Sequence, residues 1–413
     1  MLAGNVFAQM VALLAAPIIT RLYDPGDFGT MAFIQSSVGV LSVVACFRYR
    51  CAIVLPKKDS TSHNLLALSL LSVTVFSLLL TLLLLACKGC FVEMGGFSRY
   101  DQYLFFIPIA VFIISGREVL VYYHTRLKKF SSISASIVLM PFVTSATKIV
   151  AGLLLSASAF WLILGNMIGQ AMSGALLFFL ILSACPKIRK NVSLLGLKQA
   201  AREYYRFPRY SMPTAFINSL SQNLPVFLYS YYFSQEVVGF YGLANMILRR
   251  PISVMSEAMS KTFLQKSAEI ENNRGALYPN LKKATIGLAV IGIIPFGVLM
   301  IAGKSIFGIL FGLKWSEAGL YAQVLAPWLF LAFINSPANQ IYTVKQKLRF
   351  QMYFNYIQIS LRFISIVLGY YLFNSALYAT LLFSMTGIVM NIWYIIYAFL
   401  LAHRSPDHRQ LVI

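Results

Sequence analysis

Charged side chains are scarce in this sequence. Only 11% of its 413 residues are Asp, Glu, Lys or Arg, whereas 59% are hydrophobic. A soluble globular chain carries about 25% charged residues, so this composition cannot cover a water-facing surface. The mean hydropathy of +0.73 agrees. The scarcity of charge therefore excludes the soluble classes of protein and predicts a polytopic membrane protein.

Acidic residues are the rarer charged type. The chain has 13 Asp and Glu against 34 Lys and Arg, which gives a formal net charge of +21. In a soluble protein, such an excess would suggest a nucleic-acid partner. In a membrane protein, positive charge collects in cytoplasmic loops. We therefore interpret most of these cations as determinants of orientation and expect no nucleic-acid partner.

Cysteine and histidine are too few for metal chemistry. Among five cysteines, Cys87 and Cys90 have the Cys-x-x-Cys spacing, but no second pair or histidine cluster accompanies them. The four histidines fall in predicted loops or in the tail. We find no Ser/His/Asp grouping and no phosphate-binding glycine loop. The sequence therefore predicts no metal site, no cofactor and no catalytic residues.

Long hydrophobic runs are what the sequence has in abundance. About 20 apolar residues span a bilayer core as a helix, and a helix satisfies all of its own backbone groups in lipid. The first run begins at Leu2 with no basic region before it, so we expect an uncleaved anchor. Twelve runs predict an all-α polytopic membrane protein with 12 transmembrane helices, at 3–22, 29–47, 64–87, 103–123, 131–156, 159–184, 213–233, 239–258, 284–302, 318–342, 351–372 and 375–400.

The loops between these runs differ in charge. Most lysines and arginines fall in the even-numbered loops, notably 185–212 and 249–283, and few fall in the odd-numbered ones. This asymmetry predicts that the even-numbered loops and both termini are cytoplasmic. The outer loops are short, whereas an O-antigen polymerase or a lipid-linked glycosyltransferase needs a sizeable outer loop or a soluble catalytic domain. The loops therefore argue against an enzyme.

One layout occurs twice in the sequence. The stretches "RLYDPGDFGTMAFIQ" (21–35) and "YYFSQEVVGFYGLAN" (231–245) each end one apolar run with an aromatic residue and open the next run around a glycine, Gly29 or Gly239. Six predicted helices separate the copies, so both begin on the same side of the membrane. This pattern predicts a parallel repeat of two six-helix lobes related by a pseudo-two-fold axis along the membrane normal.

The repeat also predicts the domain boundaries. The N-lobe comprises helices 1–6 (1–184), a basic cytoplasmic linker follows (185–212), and the C-lobe comprises helices 7–12 and a short cytoplasmic tail (213–413). Two such lobes usually enclose a central pathway and rock against each other to alternate access. The repeat therefore indicates transport.

Several segments resemble one known family. They are "PIITRLYDPGDFGTMAF", "RYRCAIVLPKKDS", "REYYRFPRYSMPTAFINSLSQNLPVFLYSYYF" and "GFYGLANMILRRPISVMSEAM". These segments resemble the Wzx-type O-antigen flippases of the multidrug/oligosaccharidyl-lipid/polysaccharide (MOP) exporter superfamily, and the resemblance extends over essentially the whole chain. One departure is that the family usually has a short basic stretch before its first helix.

The resemblance implies a function. The family moves undecaprenyl-pyrophosphate-linked oligosaccharide, the O-antigen repeat unit, from the cytoplasmic to the periplasmic leaflet of the bacterial inner membrane by alternating access. A proton or ion gradient is the implied driver, and no cofactor is implied. The implied partners are the lipid-linked glycan, the bilayer, a polysaccharide polymerase and a chain-length regulator.

Two other transport functions stay open at this point. One is a flippase for another polyprenyl-linked glycan, such as enterobacterial common antigen, capsule or peptidoglycan precursor. The other is a drug/cation antiporter of the same superfamily, which should carry acids in the N-lobe cavity. This chain places cations there instead.

Three basic residues lie inside predicted helices: Arg117, Lys148 and Arg362. Arg362 is in the middle of its run, where a charge costs at least about 2.5–3.5 kcal/mol on insertion scales. This position favours a cavity cation that binds phosphate, and the alternative is a structural ion pair between helices. The polar face of Arg362 at helical spacing also holds Asn355, Gln358, Ser365 and Gly369.

Lys148 lies on the repeat counterpart of the helix that holds Arg362. We therefore expect the two cations to face each other across the central cavity and to share the pyrophosphate as it passes. Arg117 is either a cavity cation or an interfacial anchor paired with the adjacent Glu118. Glu118 is one of the few carboxylates near membrane depth, which makes it the proton-coupling candidate.

Smaller polar side chains recur along the predicted helices. Each amide could bond to a sugar hydroxyl or could tie two helices together, the latter for about 0.6 kcal/mol on average. The substrate-binding candidates in this group are Gln35, Asn218, Gln222 and Asn245. Arg249, which lies one helical turn after Asn245, is a further candidate.

Overall fold

The computed structural model describes residues 2–95, 98–184, 192–273 and 275–403. Within these ranges the chain is almost entirely helical and has no strand. Ten helices, counted in the described part, are long and apolar enough to cross a membrane. The protein is therefore an all-α, multi-pass membrane protein, as the composition predicted.

The helices follow the predicted runs closely. In chain order they are α1 (Leu2–Leu22), α2 (Pro25–Ala45), α3 (Tyr49–Ala52), α4 (Asp59–Gly95), α5 (Phe106–Arg126), α6 (Phe130–Leu154), α7 (Ala159–Ala184), α8 (Leu194–Glu203), α9 (Met212–Tyr232), α10 (Gln235–Asn272), α11 (Leu277–Phe311), α12 (Ser316–Ile334), α13 (Ser336–Val344), α14 (Leu348–Phe373) and α15 (Ala376–His403).

Each predicted run coincides with helix to within a few residues at its ends, but two details differ. The run 318–342 is divided at Asn335 into α12 and α13, and Pro337 lies in the first turn of α13, because proline cannot donate the backbone hydrogen bond that would continue α12. His63 and His124, expected in loops, are buried residues of α4 and α5. The helices α9 and α10 are too polar to count among the ten spanning candidates. The number of 12 transmembrane helices therefore stays a prediction.

The chain forms two compact units, residues 1–239 and 240–413. The predicted division into lobes at 184 and 213 stays a prediction, and residues 185–191 of the linker lie outside the described ranges. The rest of the linker forms the short helix α8 and leads into α9.

In the first unit, α6 packs on α1 and α7, and α2 packs on α9. Small residues allow these close approaches: at Gly169 of α7, an added Cβ would lie 2.8 Å from the backbone oxygen of Met140 on α6. The Tyr23 hydroxyl donates a hydrogen bond of 2.8 Å to the backbone oxygen of Lys148. The Asp27 carboxylate accepts a hydrogen bond of 2.8 Å from the amide of Ala159 and so caps α7.

The two glycines of the repeated layout contact each other. A Cβ on Gly29 would overlap the backbone carbonyl of Gln235, and a Cβ on Gly239 would overlap that of Pro25. Each added Cβ would also lie 3.1 Å from the amide nitrogen of the other glycine. The start of α2 and the start of α10 thus meet backbone to backbone, which only glycine at both positions permits.

In the second unit, α12 packs on α11 and α15, and α14 packs on α15. An aromatic cluster fills one part of this unit. The Tyr342 hydroxyl donates a hydrogen bond of 2.6 Å to the backbone oxygen of Tyr394. The Tyr394 hydroxyl donates one of 2.8 Å to the side-chain oxygen of Asn339. This cluster fixes α13 against α15.

Candidate functional site: cations at the centre of each unit

Two arginines of the second unit lie against one tryptophan. The guanidinium carbon of Arg249 is 5.3 Å from the centroid of the Trp328 ring, and that of Arg362 is 5.4 Å from the same centroid. Arg362 also lies 5.6 Å from the ring of Phe383. We call Asn245, Arg249, Trp328, Arg362 and Phe383 the Trp328 cluster. It joins four helices, namely α10, α12, α14 and α15.

The packing of α12 against α15 fixes the position of Trp328. Trp328 is 2% exposed, and its ring meets Phe383 edge to face at 5.0 Å. At Gly387, an added Cβ would lie 2.7 Å from two atoms of the indole, so glycine is required there. The Ser384 hydroxyl of α15 donates a hydrogen bond of 2.6 Å to the backbone oxygen of Val324, which lies one turn before Trp328 on α12.

Hydrogen bonding also orients one of the arginines. Nε of Arg249 donates a hydrogen bond of 2.7 Å to the side-chain oxygen of Asn245, one turn earlier on α10. The charges of Arg249 and Arg362 are close enough to repel each other. Aromatic faces attract guanidinium groups by about 2 kcal/mol or more where water is excluded. The rings of the cluster therefore offset part of the cost of placing two like charges together.

Three of the four helices that form the Trp328 cluster, namely α12, α14 and α15, place no acidic residue near it. Between Glu317 and Asp407 the chain has no Asp or Glu, and this stretch holds nearly all of α12 and the whole of α13, α14 and α15. A site with two guanidiniums in such a stretch attracts anions. Guanidinium groups match phosphate in geometry as well as in charge.

The polar face of α14 changes in burial along its length. Asn355 is exposed and Gln358 is half-buried, whereas Arg362 is only 8% exposed. Beyond the arginine, a Cβ on Gly369 would lie 2.7 Å from the Cβ of Ala379 on α15. The face therefore runs from an accessible polar end to the buried cation and then becomes a helix-packing surface.

Lys148 holds a comparable buried position in the first unit. Its side chain is on α6, and its Nζ donates a hydrogen bond of 2.9 Å to the side-chain oxygen of Asn166 on α7. The same atom lies 3.6 Å from the sulfur of Met31 on α2. The lysine is 7% exposed. It therefore lies among three helices of its unit, with an amide as one ligand of its ammonium group.

Arg117 and Glu118 differ from the expected self-paired anchor. Nε of Arg117 donates a hydrogen bond of 2.8 Å to the hydroxyl of Ser173 on α7. The carboxylate of Glu118 instead forms a salt bridge of 2.5 Å with Arg50 on α3. Adjacent residues on a helix point about 100° apart, so each reaches a different neighbour. Arg117 ties α5 to α7, and Glu118 ties α5 to α3.

The three remaining amide candidates lie on one packed helix pair. Gln35 is exposed on α2, and Asn218 and Gln222 are exposed on α9. Between them, the Ser219 hydroxyl donates a hydrogen bond of 3.0 Å to the backbone oxygen of Gly39. The pair thus presents amides beside a close contact, and their proposed role in binding sugar stays a prediction.

Two residues of these sites were missed by sequence reasoning. Trp328 lies mid-way along an apolar run, although tryptophan in membrane proteins is enriched at the interfaces; this unusual depth was the available signal. Arg50 was counted among the loop cations, but it is 6% exposed and also donates to the backbone oxygen of Ser42 at 3.4 Å. No signal in the sequence separates it from the neighbouring loop arginine.

The structure thus brings together Asn245, Arg249 and Arg362 in one unit, and it surrounds Lys148 with α2, α6 and α7 in the other. Among the residues described, no group of three or more His, Cys, Asp and Glu side chains could hold a metal ion. The arrangement suits the binding of an anionic group.

Residues 18–320 match the sequence profile of a family described as polysaccharide biosynthesis protein. No curated protein is found that is similar enough to count as a match. The family match covers most of the chain, including α2 to α11, and ends inside α12 before Trp328.

Solved structures of transporters share the fold. The chain is similar to a structure described as lipid II flippase MurJ in an inward closed conformation, with a TM-score of 0.72 at 12% identity over 96% of this chain and 88% of that one. It is also similar to an inward-facing multidrug resistance MATE family transporter of the MOP superfamily, with a TM-score of 0.66 at 13% identity over 97% and 94%. A mutant of the Vibrio cholerae MATE transporter VcmN gives a TM-score of 0.58 at 12% identity over 97% and 94%.

Proposed function

Because this chain belongs to the family of polysaccharide biosynthesis proteins, and its fold is that of MOP-superfamily transporters, we propose that it is a flippase for a lipid-linked glycan. The substrate is undecaprenyl-pyrophosphate-linked oligosaccharide, the O-antigen repeat unit. The flippase moves it from the cytoplasmic to the periplasmic leaflet of the bacterial inner membrane.

The Trp328 cluster is the observation that carries this proposal. The substrate has a pyrophosphate with a bulky polar glycan on one side and a polyprenyl chain on the other. Its anionic group must cross the apolar layer beside compensating cations. Arg249 and Arg362 supply two guanidiniums within 5.4 Å of a common ring. The exposed Asn355 and the half-buried Gln358 lie on the same face of α14 as Arg362.

The proposed cycle is alternating access of two lobes driven by a proton or ion gradient. Lys148 of the N-lobe and Arg362 of the C-lobe are proposed to share the pyrophosphate. Glu118 is the proposed proton-coupling residue, since its carboxylate contacts Arg50 while its side chain stays 37% exposed. A polysaccharide polymerase and a chain-length regulator are the proposed partners on the product side.

A drug/cation antiporter of the same fold would need carboxylates that can bind a cation. Three carboxylates of the first unit already bind other groups of the protein. Asp27 caps α7, Asp59 forms a salt bridge of 2.8 Å with Arg126, and Glu118 pairs with Arg50. The charges of the cluster favour an anionic substrate instead.

The first test replaces Arg362 and measures surface polysaccharide. In a strain that lacks its own flippase, Arg362→Ala should abolish long-chain surface polysaccharide at a normal level of protein in the membrane. Arg362→Lys should restore part of it, since the charge returns without the bidentate geometry. Arg202→Ala is the matched control, because Arg202 is exposed on α8 and should leave the polysaccharide unchanged.

Full surface polysaccharide with Arg362→Ala would contradict the proposed role of the arginine. Loss of the protein itself from the membrane would support the alternative, in which Arg362 is a structural part of the helix bundle. Quantifying the protein by immunoblot in the same samples separates these two outcomes.

A further inference from the structure

The short helix α8 has no part in the proposed function. It has 10 residues and is therefore about 15 Å long, which is about half the thickness of a bilayer core. Two leucines of its first turn, Leu194 and Leu195, are nevertheless 86% and 74% exposed. Water is an unfavourable surrounding for such side chains, so α8 presents an apolar surface that needs a partner.

The other side of α8 is fixed to the beginning of α4. The side-chain oxygen of Asn64 accepts a hydrogen bond of 3.1 Å from the amide of Ser193. The Ser193 hydroxyl caps α8 by accepting one of 3.0 Å from the amide of Gly196, and a Cβ on Gly196 would lie 2.6 Å from two side-chain atoms of Asn64. Ala200, one turn later, is 1% exposed. Because successive residues of a helix are about 100° apart, the two exposed leucines point away from α4.

This attachment sets the level of α8 relative to lipid. Residues 61–70 of α4 are buried or half-buried, and Leu71 is the first of a series of exposed apolar side chains further along the helix. In a spanning helix, such a series faces the lipid chains. Leu71 lies seven residues after Asn64, or about 10 Å along the helix. The headgroup layer on each side of a bilayer core is about 5–8 Å thick, so α8 lies at the level of the headgroups.

Cations accompany the exposed leucines. Lys198 is exposed and lies between the two leucines when α8 is viewed along its axis. Arg206 and Arg209 follow the helix and are also exposed. The adjacent Arg202 and Glu203 have opposite charges and together add no net charge. Lys198, Arg206 and Arg209 therefore give this apolar surface a net positive charge.

Two exposed tyrosines complete the surface. Tyr205 is 47% exposed and Tyr210 is 59% exposed, and the guanidinium carbon of Arg209 lies 5.5 Å from the centroid of the Tyr210 ring. Tyrosine is enriched where a membrane meets water, because its ring is apolar and its hydroxyl is polar. Leucines, tyrosines and cations on one short segment are the combination that binds the interfacial layer of a membrane.

We propose that this segment is a docking surface for anionic phospholipids. The residues of this α8 surface are Leu194, Leu195, Lys198, Tyr205, Arg206, Arg209 and Tyr210. The leucines enter the boundary between headgroups and chains, and the cations contact lipid phosphates and favour lipids of net negative charge over zwitterionic ones. The surface faces the bilayer and not the transported molecule, so it is independent of the proposed function.

The first test measures whether lipid covers the leucines. A fluorescent amino acid is inserted at position 194 of the full-length protein in nanodiscs of phosphatidylcholine with brominated chains, which quench a fluorophore that they touch. Quenching at position 194 should exceed that at position 203 by roughly twofold or more. Position 203 is the matched control, because Glu203 is exposed and lies on the opposite side of the helix axis from Leu194. Equal quenching at the two positions would overturn the proposal and would indicate that another part of the chain covers the leucines.

The second test measures the preference for anionic lipid. The detergent-solubilised full-length protein is mixed with equal amounts of phosphatidylglycerol and phosphatidylcholine, and native mass spectrometry gives the ratio of the two lipids at one bound lipid per protein. Lys198→Gln, Arg206→Gln and Arg209→Gln together should lower this ratio by about tenfold or more. The matched control changes three exposed cations of the second unit, with Lys266→Gln, Lys282→Gln and Lys283→Gln, and should lower the ratio much less.

An unchanged ratio in the first triple variant would overturn the role of the cations. Equal losses in both triple variants would also contradict it, because lipid would then respond to net charge rather than to the α8 surface. Melting temperatures in the same detergent check that each variant is folded. If the first triple variant does not fold, Arg206→Lys with Arg209→Lys should keep the preference and Arg206→Gln with Arg209→Gln should lose it. Equal ratios in these two double variants would again overturn the proposal.

Discussion

Arg50 and Glu118 form a charge pair whose two members differ in exposure. The arginine side chain is 7% exposed and the glutamate side chain is 37% exposed. Removing one partner of a buried pair leaves a charge that neither water nor protein compensates. Here the arginine is the member that would be left in the low-dielectric environment.

Neutralising the glutamate should therefore destabilise the protein. We expect Glu118→Gln to lower the free energy of unfolding by about 1–2 kcal/mol, less than for a fully buried pair, because water reaches the carboxylate. The double variant with Arg50→Gln should lose less than the two single variants together. Thermal unfolding in detergent measures all three, with Glu203→Gln on the exposed surface of α8 as the control. Strict additivity would show that the two side chains do not interact.

Arg362 lies in the middle of a hydrophobic run, and this position correctly predicted that its side chain is buried. The structure places it in the middle of α14. The neighbours of the arginine could not be predicted in the same way. Trp328 and Phe383 come from two other helices, and periodicity within one helix carries no information about which partner faces it. The pairing of Glu118 with Arg50 rather than Arg117 was missed for the same reason.

At the scale of the helices, the repeated layout has a structural explanation. Gly29 and Gly239 lie at the same position in the two copies of the layout. In the structure the two glycines are in contact with each other. The sequence showed the two glycines as equivalent, but it could not show that they touch. Their contact joins the first turns of α2 and α10.

A methyl group at either glycine should disrupt this contact. We expect Gly29→Ala and Gly239→Ala each to destabilise the protein by about 1–3 kcal/mol, because the added atom overlaps backbone, which cannot move aside as a side chain can. Gly116→Ala on α5 is a matched control, since nothing lies within 4 Å of its added Cβ. That change should be neutral or stabilising by up to about 1 kcal/mol.

Melting temperatures of the three alanine variants in the same detergent provide the comparison. Equal melting temperatures for Gly29→Ala, Gly239→Ala and Gly116→Ala would show that α2 and α10 do not approach as closely as described. A loss confined to the first two would confirm a contact that requires glycine on both helices.

Helix positions were predictable because hydrophobic runs of membrane length have few alternatives in lipid. The exceptions involve proline and polar residues. The predicted run 318–342 breaks at Asn335, and Pro337 lies in the first turn of the next helix, α13. The helices α9 and α10 are less apolar than the other long helices, and their polar residues include the binding candidates Asn218, Gln222, Asn245 and Arg249.

At the scale of the whole molecule, each unit contains a buried cation held by neighbouring helices. Lys148 bonds to Asn166 in one unit, and Arg362 packs on Trp328 in the other. Composition predicted the membrane class, and the resemblance of four segments predicted the family that the sequence profile confirms. The cytoplasmic termini, the symmetry of the lobes and the meeting of the two cations stay predictions.

In the proposed function, the protein moves a lipid-linked, pyrophosphate-bearing glycan across a bilayer. The most direct measurement reconstitutes it in liposomes with a fluorescent polyprenyl-pyrophosphate oligosaccharide and adds a membrane-impermeant quencher outside. Without protein, about half of the label should stay protected, because the lipid distributes equally between the two leaflets. With wild type, nearly all of the label should be quenched, and Arg362→Ala should slow this by about tenfold or more. Protection of half of the label in the presence of folded wild-type protein and an imposed proton gradient would contradict the proposed function.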